Sequence, residues 1–137
     1  MEDSKAARYE ESYTELRDWI YKLCDSLLSE LNGVLYPLWV SAFLELASKQ
    51  YLAEARQLLF NHRQDHEPEY TDEIDQLAEI MDVVNIDSNP IIAQHRRIKR
   101  TVRLSNQADR ALTEFLHNRR LHTLVRLMNR HLDVLVG

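Results

Sequence analysis

The sequence predicts an all-α fold: a single compact domain over residues 1–137, built from about seven to nine antiparallel helices on short loops, with no β-sheet. Three observations carry that expectation. Apolar residues recur at steps of three and four along most of the chain, the period of a helix with one buried face. No strand-like run sits beside a hairpin dipeptide, and no segment repeats at the intervals typical of solenoids. The composition, 45% apolar and 28% charged in 137 residues, is that of one globular unit. A chain of this length buries roughly two thirds of its unfolded surface and needs no disulfide or metal staple.

The first helix follows from Tyr9, Tyr13, Leu16, Ile20, Leu23, Leu27 and Leu31, which form one stripe. Asn32-Gly33 tolerates left-handed backbone angles and predicts a bend or stop there. Pro37 suits the first turn of the next helix, where its missing N–H costs nothing, so Leu38 to Ala47 reads as a short buried helix. Val34 to Leu46 is the expected centre of the core. Tyr51 to Phe60 is amphipathic, with Leu52, Ala55, Leu58 and Leu59 inward, and His62 to Tyr70 reads as its loop. Thr71 is a candidate N-cap, followed by Asp72, Glu73 and Asp75 at the positive end of a helix whose apolar face is Ile74, Leu77, Ala78 and Met81. Asp87-Ser88-Asn89-Pro90 predicts another helix start. Arg100 to Leu104 alternates, with Val102 and Leu104 on one side, and reads as a short extended link before a Ser105 cap. The last two helices are expected at Asn106 to His117 and at Arg119 to about Asp133. The second of these turns Leu121, Leu124, Val125, Met128 and Leu132 inward.

Composition excludes whole classes of chemistry. With two glycines, Gly33 and Gly137, the chain cannot build a phosphate-cradling loop or a dinucleotide fingerprint, which need several glycines for close backbone approach. The nearly unbroken apolar stretch from Val34 to Leu44 is shorter than the roughly 18 residues of a membrane span. One cysteine and no secretory leader predict a reducing intracellular compartment.

The net charge of −5 conceals an asymmetry. Residues 1–89 hold 7 Lys and Arg against 19 Asp and Glu, whereas residues 90–137 hold 10 against 3. Such a chain either neutralises itself or shows partners two faces of opposite sign, and the sequence leaves both open. Arg96, Arg97, Lys99, Arg100 and Arg103 concentrate five cations within eight residues and are the candidate partner-binding group. As nucleic-acid contacts they would neutralise phosphates, but no aromatic residue lies between Tyr70 and Phe115 to stack a base. A protein partner or an intramolecular role is therefore favoured over direct nucleic-acid binding.

Other constellations are weaker. His62 and His66 are four apart, near Asp65, Glu67 and Glu69, but Arg63 stands where a zinc-protease motif needs glutamate, so they are expected to be solvated histidines. Glu114 and His117 match one half of a di-iron motif that needs a second copy, and none exists, so both are expected at the surface. Cys24 falls on the apolar stripe and reads as a small buried residue. No catalytic residue, metal ligand or cofactor is expected.

A set of residues in order along the chain carries a resemblance. Tyr9, Tyr13, Leu16-Arg17-Asp18-Trp19-Ile20, Glu30-Leu31, Val34-Leu35-Tyr36-Pro37-Leu38-Trp39-Val40 and Phe43-Leu44-Glu45-Leu46 lead it without a gap. Ala55-Arg56, Phe60, Asp65-His66-Glu67, Asp72-Glu73-Ile74, Leu77, Arg103-Leu104-Ser105, Phe115-Leu116 and Asn129 to Val134 continue it. The pattern resembles the conserved amino-terminal helical domain of the WD40-containing TBP-associated factor, subunit five of the general transcription factor TFIID. Its core is Tyr13, Leu16, Trp19, Leu35, Tyr36, Pro37, Trp39, Phe43 and Leu44. The sequence departs at Ser41, where the family usually has histidine, at Asn32-Gly33, and in a compact segment after Asn61.

The resemblance implies a non-catalytic nuclear scaffold without cofactor. It further implies contacts with other TFIID subunits, especially histone-fold subunits, and with the WD40 propeller of the same full-length chain. A related paralogue serves SAGA-type coactivators. Neither the family's dimerisation motif nor the propeller is in this sequence, so the expectation is one domain of a longer protein, monomeric in isolation.

Overall fold

The computed structural model describes residues 2–80 and 99–137. In order these form α1 (Glu2–Tyr21), α2 (Asp25–Ser48), α3 (Leu52–His62), a 3-10 turn (Arg63–His66), α4 (Thr71–Ile80), β1 (Arg100–Leu104), α5 (Asn106–Asn118), α6 (His122–His131) and β2 (Leu132–Val136). The fold is all-α in character, with six α-helices and one 3-10 turn among the described residues. The helix start at Asp87 to Pro90, Met81 of the fourth apolar face, and Arg96 and Arg97 of the cationic group lie outside the described residues.

Two sequence expectations about helix breaks are corrected. The first helix stops at Tyr21, not at Asn32-Gly33. Lys22 and Leu23 donate to the Trp19 and Ile20 carbonyls at 3.1 and 3.0 Å, three-residue bonds that tighten a last turn. Cys24 then opens α2, its carbonyl accepting from Leu28 N–H at 2.8 Å. Cys24 is thus an exposed capping residue and not a buried one. Its thiol is held below the usual range, first by the Leu27 backbone N–H and next by the Ser26 hydroxyl.

α2 then runs 24 residues straight through Gly33 and Pro37. An interior proline costs about 3 kcal/mol, because it removes a hydrogen bond and crowds the carbonyl four residues back. Here that carbonyl belongs to exposed Gly33, where solvent can replace the lost donor. The flanking Leu35, Tyr36, Leu38, Trp39 and Val40 are all at least 97% buried. At about 1.5–3 kcal/mol for each large side chain, their burial outweighs the proline. Without the expected breaks, α2 is long and apolar enough by length and composition to cross a membrane, but 61% of its most apolar window is buried inside the protein, as in a core helix.

Two helix ends use left-handed residues that are not glycine. At the end of α2, Gln50 (φ 69°) lets Tyr51 N–H reach the Leu46 carbonyl at 2.9 Å and Gln50 N–H reach Ala47 at 3.1 Å. At the end of α5, Arg120 (φ 54°) does the same with Leu121 N–H to Leu116 at 3.0 Å and Arg120 N–H to His117 at 3.1 Å.

The expected absence of β-sheet is also corrected. Arg100 to Leu104 is extended as predicted, but it pairs in parallel with Leu132 to Val136, Val102 opposite Val134. The last helix therefore ends at His131, and the alternating, β-branched run after it completes a two-stranded sheet. Gly137 N–H extends the ladder to the Leu104 carbonyl at 3.1 Å.

The chain forms two compact units. The first comprises residues 1–41 and 99–137; the second comprises residues 42–98, and the boundary falls inside α2. In the first, α1 packs on α6, α5 packs on β1 and α6, and Tyr13, Leu16, Ile20, Leu31, Leu35 and Trp39 are fully buried. In the second, α3 packs on α4 around Ala55, Leu58, Leu59, Ile74 and Leu77.

Candidate partner-binding surface

The basic carboxy-terminal segment begins at Lys99 and β1. Along the strand Val102 and Leu104 are buried, whereas Thr101 and Arg103 are exposed and Arg100 is half-buried. Lys99 Nζ donates to the Asn129 carbonyl at 3.4 Å, and the Arg100 guanidinium lies 5.3 Å from the centre of the Tyr36 ring. Two of the three described cations of the predicted group are therefore engaged within the fold. Arg103 is exposed and holds no ion pair among the described residues.

The same pattern continues beyond the predicted group. Arg126 Nη2 donates to the Tyr9 hydroxyl at 2.9 Å and its guanidinium lies 5.9 Å from that ring centre. Arg119 pairs with the Glu15 carboxylate. Beside that pair, Trp19 and Phe115 stack at 4.2 Å with planes 9° apart. These ties link positions 64 to 117 residues apart, which no local pattern in the sequence reveals.

Glu30 is the residue that sequence reasoning gave least weight. Its carboxylate accepts from Ser105 N–H at 2.8 Å and from Ser105 Oγ at 3.0 Å, while that same Oγ accepts from Ala108 N–H at 3.1 Å. The predicted Ser105 cap is present, and α2 holds it in place. Glu30-Leu31 in the resemblance was the one available signal.

The unit of residues 1–41 and 99–137 holds 12 Lys and Arg against 11 Asp and Glu, whereas residues 42–98 hold 5 against 11. The sequential asymmetry thus cancels inside the first unit, and the surplus acid sits in the second.

The core positions of the resemblance are packing residues. Tyr13, Leu16, Leu35, Tyr36, Trp39, Phe43 and Leu44 are buried, as is Pro37, while Trp19 is half-buried against Phe115. Tyr36 and Trp39 rings lie 6.0 Å apart. At position 41 the Ser41 hydroxyl is buried and donates to the Pro37 carbonyl at 2.8 Å, so it is satisfied within α2.

The expectation of solvated histidines at 62 and 66 is corrected. Both are buried, His62 Nδ1 lies 3.7 Å from the Asp65 carboxylate, and burial holds the His66 imidazole down to about 4. Arg63 engages Glu67 at 2.8 Å and Asp75 at 2.6 Å, which draws one proposed oxygen donor into an ion pair. Among the described residues no group of three metal-ligating side chains converges. Glu114 and His117 lie exposed on α5. Thr71, a candidate cap, is the first residue of α4, and its hydroxyl donates to the Pro68 carbonyl at 3.1 Å.

Residues 3–132 match the family model described as the WD40 associated region in TFIID subunit, NTD2 domain. The chain belongs to that family. The relatives of this NTD2 domain include the Arabidopsis thaliana transcription initiation factor TFIID subunit 5, 24% identical over 97% of the chain, and its Encephalitozoon cuniculi counterpart, 29% identical over 93%. A Schizosaccharomyces pombe relative, 24% identical over 92% of the chain, is a SAGA complex/transcription factor TFIID complex subunit. The chain spans about a fifth of the length of these relatives, from 20% to 23%. The crystal structure of the Encephalitozoon cuniculi TAF5 N-terminal domain superposes with a TM-score of 0.85 at 29% identity, covering 94% of this chain and 98% of that one.

Proposed function

We propose that this NTD2 domain is a non-catalytic protein-interaction domain that supports assembly of TFIID for initiation by RNA polymerase II, acting in the nucleus as one domain of a longer protein. The observation that carries the reading is the family match over residues 3–132, on a fold whose matched motif residues are core rather than site. The partners on this reading are histone-fold TFIID subunits and the WD40 propeller of the full-length chain. Arg103, with Arg96, Arg97, Lys99 and Arg100, is the proposed contact group, and the isolated domain is a monomer without cofactor.

The competing reading, direct nucleic-acid binding through the basic half, has less to act with. Salt-sensitive phosphate binding needs cations free to displace counterions. Arg119 is paired to Glu15, Arg126 is tied to Tyr9 and Arg100 stacks on Tyr36.

Co-purification of the domain with the histone-fold TFIID subunits tests the proposal. The expected result is a stoichiometric complex with the wild-type domain and reduced recovery with Arg103→Glu, whose melting temperature stays near wild type. No complex, with the full-length subunit forming one under the same conditions, would remove this domain from the interface.

A further inference from the structure

A groove of about 560 Å³ opens between α5, α6 and β2, within the unit of residues 1–41 and 99–137, and nothing above assigns it a role. Its apolar lining includes Leu116, Val125, Met128, Leu132 and Val134. The sequence places Val125 in the core, yet it is 37% exposed, because α6 turns Leu124 and Leu127 into the core and Val125 and Met128 toward the groove. Among the described residues β2 lines the groove and β1 does not, so the groove lies along the side of β2 that faces away from its partner strand.

That side of β2 is an open sheet edge. Gly137 N–H donates to the Leu104 carbonyl, and backbone groups point to alternate sides along a strand, so Asp133, Leu135 and Gly137 turn their N–H and C=O toward β1. The N–H and C=O groups of Val134 and Val136 therefore point the other way, where the two-stranded sheet has no third strand among the described residues. The Val136 side chain shares a sheet face with buried Leu104, yet it is 46% exposed. β1 carries Arg100 and Arg103, and cations discourage edge pairing, whereas Leu132 to Val136 contains no Lys, Arg or Pro. A parallel sheet of two strands is marginal by itself and is normally covered on its faces.

We infer that β2 takes up an extended segment of a partner protein as a third strand, with main-chain bonds to Val134 and Val136 and alternate apolar side chains seated between Val125, Met128 and Val134. The edge specifies an extended occupant, because a helix spends its own N–H and C=O groups internally and has no row of them to offer. Charge specifies the residues between the apolar ones. Asp133 is the one charged side chain of β2 and is exposed, and Asp109 is the one Asp, Glu, Lys or Arg of the groove lining. Neither holds an ion pair among the described residues. A third strand would run about 5 Å from β2 and about 10 Å from β1 with its Arg103, so outward Lys or Arg in the partner would meet the Asp133 carboxylate first. A second copy of β2 would bring another carboxylate in place of that cation. The inference rests on the protein-interaction reading and specifies the chemistry of one partner segment.

The probe is a synthetic peptide alternating valine and lysine, titrated into the domain carrying ¹³C-methyl methionine, with Met128 as the groove reporter. Saturable binding is expected to move the Met128 methyl resonance and to slow amide hydrogen exchange at Val134 and Val136. Two further peptides carry N-methyl groups on the valine or on the lysine amides, which removes the donors along one edge of the strand or the other. One of them is expected to lose binding and the other to keep it. Val136→Pro removes an edge donor without removing a bond to β1 and weakens binding about fivefold. The N-methyl comparison uses the unaltered domain and stands even where Val136→Pro fails to fold. Asp133→Lys weakens binding about threefold, and a peptide with glutamate for lysine binds that variant more tightly than it binds the wild type.

The inference is overturned by no saturable shift at Met128, by equal binding of the two N-methylated peptides, or by exchange at Val134 and Val136 that the peptide leaves unchanged. It is overturned equally by a glutamate peptide that binds the wild type as well as the lysine peptide does. A concentration-dependent Met128 shift without peptide, together with a dimer in sedimentation, would give the edge to a second copy. Co-purification with histone-fold subunits separates the two claims. Success there without peptide binding defeats the strand addition alone, and peptide binding at Met128 without co-purification defeats the assembly reading alone.

Discussion

Among the described residues, the polar ties seen in the two compact units differ in how much sequence they span. In the unit of residues 1–41 and 99–137, Glu30 braces Ser105, Arg126 reaches Tyr9, Arg119 reaches Glu15 and β1 pairs with β2, all between segments far apart in sequence. Among the described residues of 42–98, polar ties include Lys49 to Glu45 at 3.7 Å, His62 to Asp65 at 3.7 Å, and Arg63 to Glu67 and Asp75, pairs three to twelve positions apart. The first unit is nearly charge-neutral and the second is strongly acidic. The charge divide along a sequence need not be the divide between the folded units. The basic carboxy-terminal segment returns to the amino-terminal helices, and much of its charge is used there.

The largest effect expected in the first unit is at Trp39, whose side chain is fully buried. Trp39→Ala should lower unfolding free energy by about 3–5 kcal/mol, read as a fall in the urea midpoint. A loss below about 1 kcal/mol would mean that the core is not centred there.

In the second unit the comparable lever is pH. His66 stays neutral in the folded domain until about pH 4, because burial opposes its charge and His62 adds to this, against Asp65. In the unfolded chain it takes up a proton near 6.5. Between these values the unfolded state binds more protons, so the contribution of His66 is complete above pH 6.5 and declines as pH falls toward 4, by about 3 kcal/mol in all. Denaturant midpoints across that window should fall in the wild type, and the slope should flatten in His66→Asn. An unchanged slope would place the acid sensitivity elsewhere.

The long-range brace is next in size. Glu30→Ala leaves Ser105 N–H without its partner in a partly buried site and should cost about 1–2 kcal/mol. Ser105→Ala should cost about 1 kcal/mol, and the double variant should lose less than the sum. Additive losses would show that the two do not act as one cap.

Smaller effects concern the helix ends, where the sequence misled most. The one interior glycine, Gly33, sits mid-helix with open space where a Cβ would be, whereas the left-handed helix ends are occupied by Gln50 and Arg120. Gly33→Ala and Arg120→Gly should each stabilise by about 0.5–1 kcal/mol, visible as a rise in Tm. A fall for Gly33→Ala would mean that the backbone at Pro37 depends on that glycine.

These positions show what the sequence could and could not reveal. Amphipathic helices such as α3 and α5, the extended Arg100 to Leu104 and the Ser105 cap are written in local periodicity and side-chain chemistry. The continuity of α2 is not, because it depends on how much surface Leu35 to Val40 buries once packed. Nor is β2, because a parallel partner 32 residues upstream supplies its hydrogen bonds. Of the predicted partner-binding group, the charge was legible, but its use was not. Lys99 and Arg100 turn to Asn129 and Tyr36, leaving Arg103 outward.

On the proposed function, the cations of the carboxy-terminal segment serve the fold and protein contacts rather than a phosphate backbone. The direct measurement is titration of the domain with a fluorescent DNA duplex at low and at physiological salt. No saturable binding is expected at physiological salt, and only weak binding at low salt. Saturable binding at physiological salt that weakens steeply as salt is raised, and is lost in Arg100→Glu or Arg103→Glu, would contradict it.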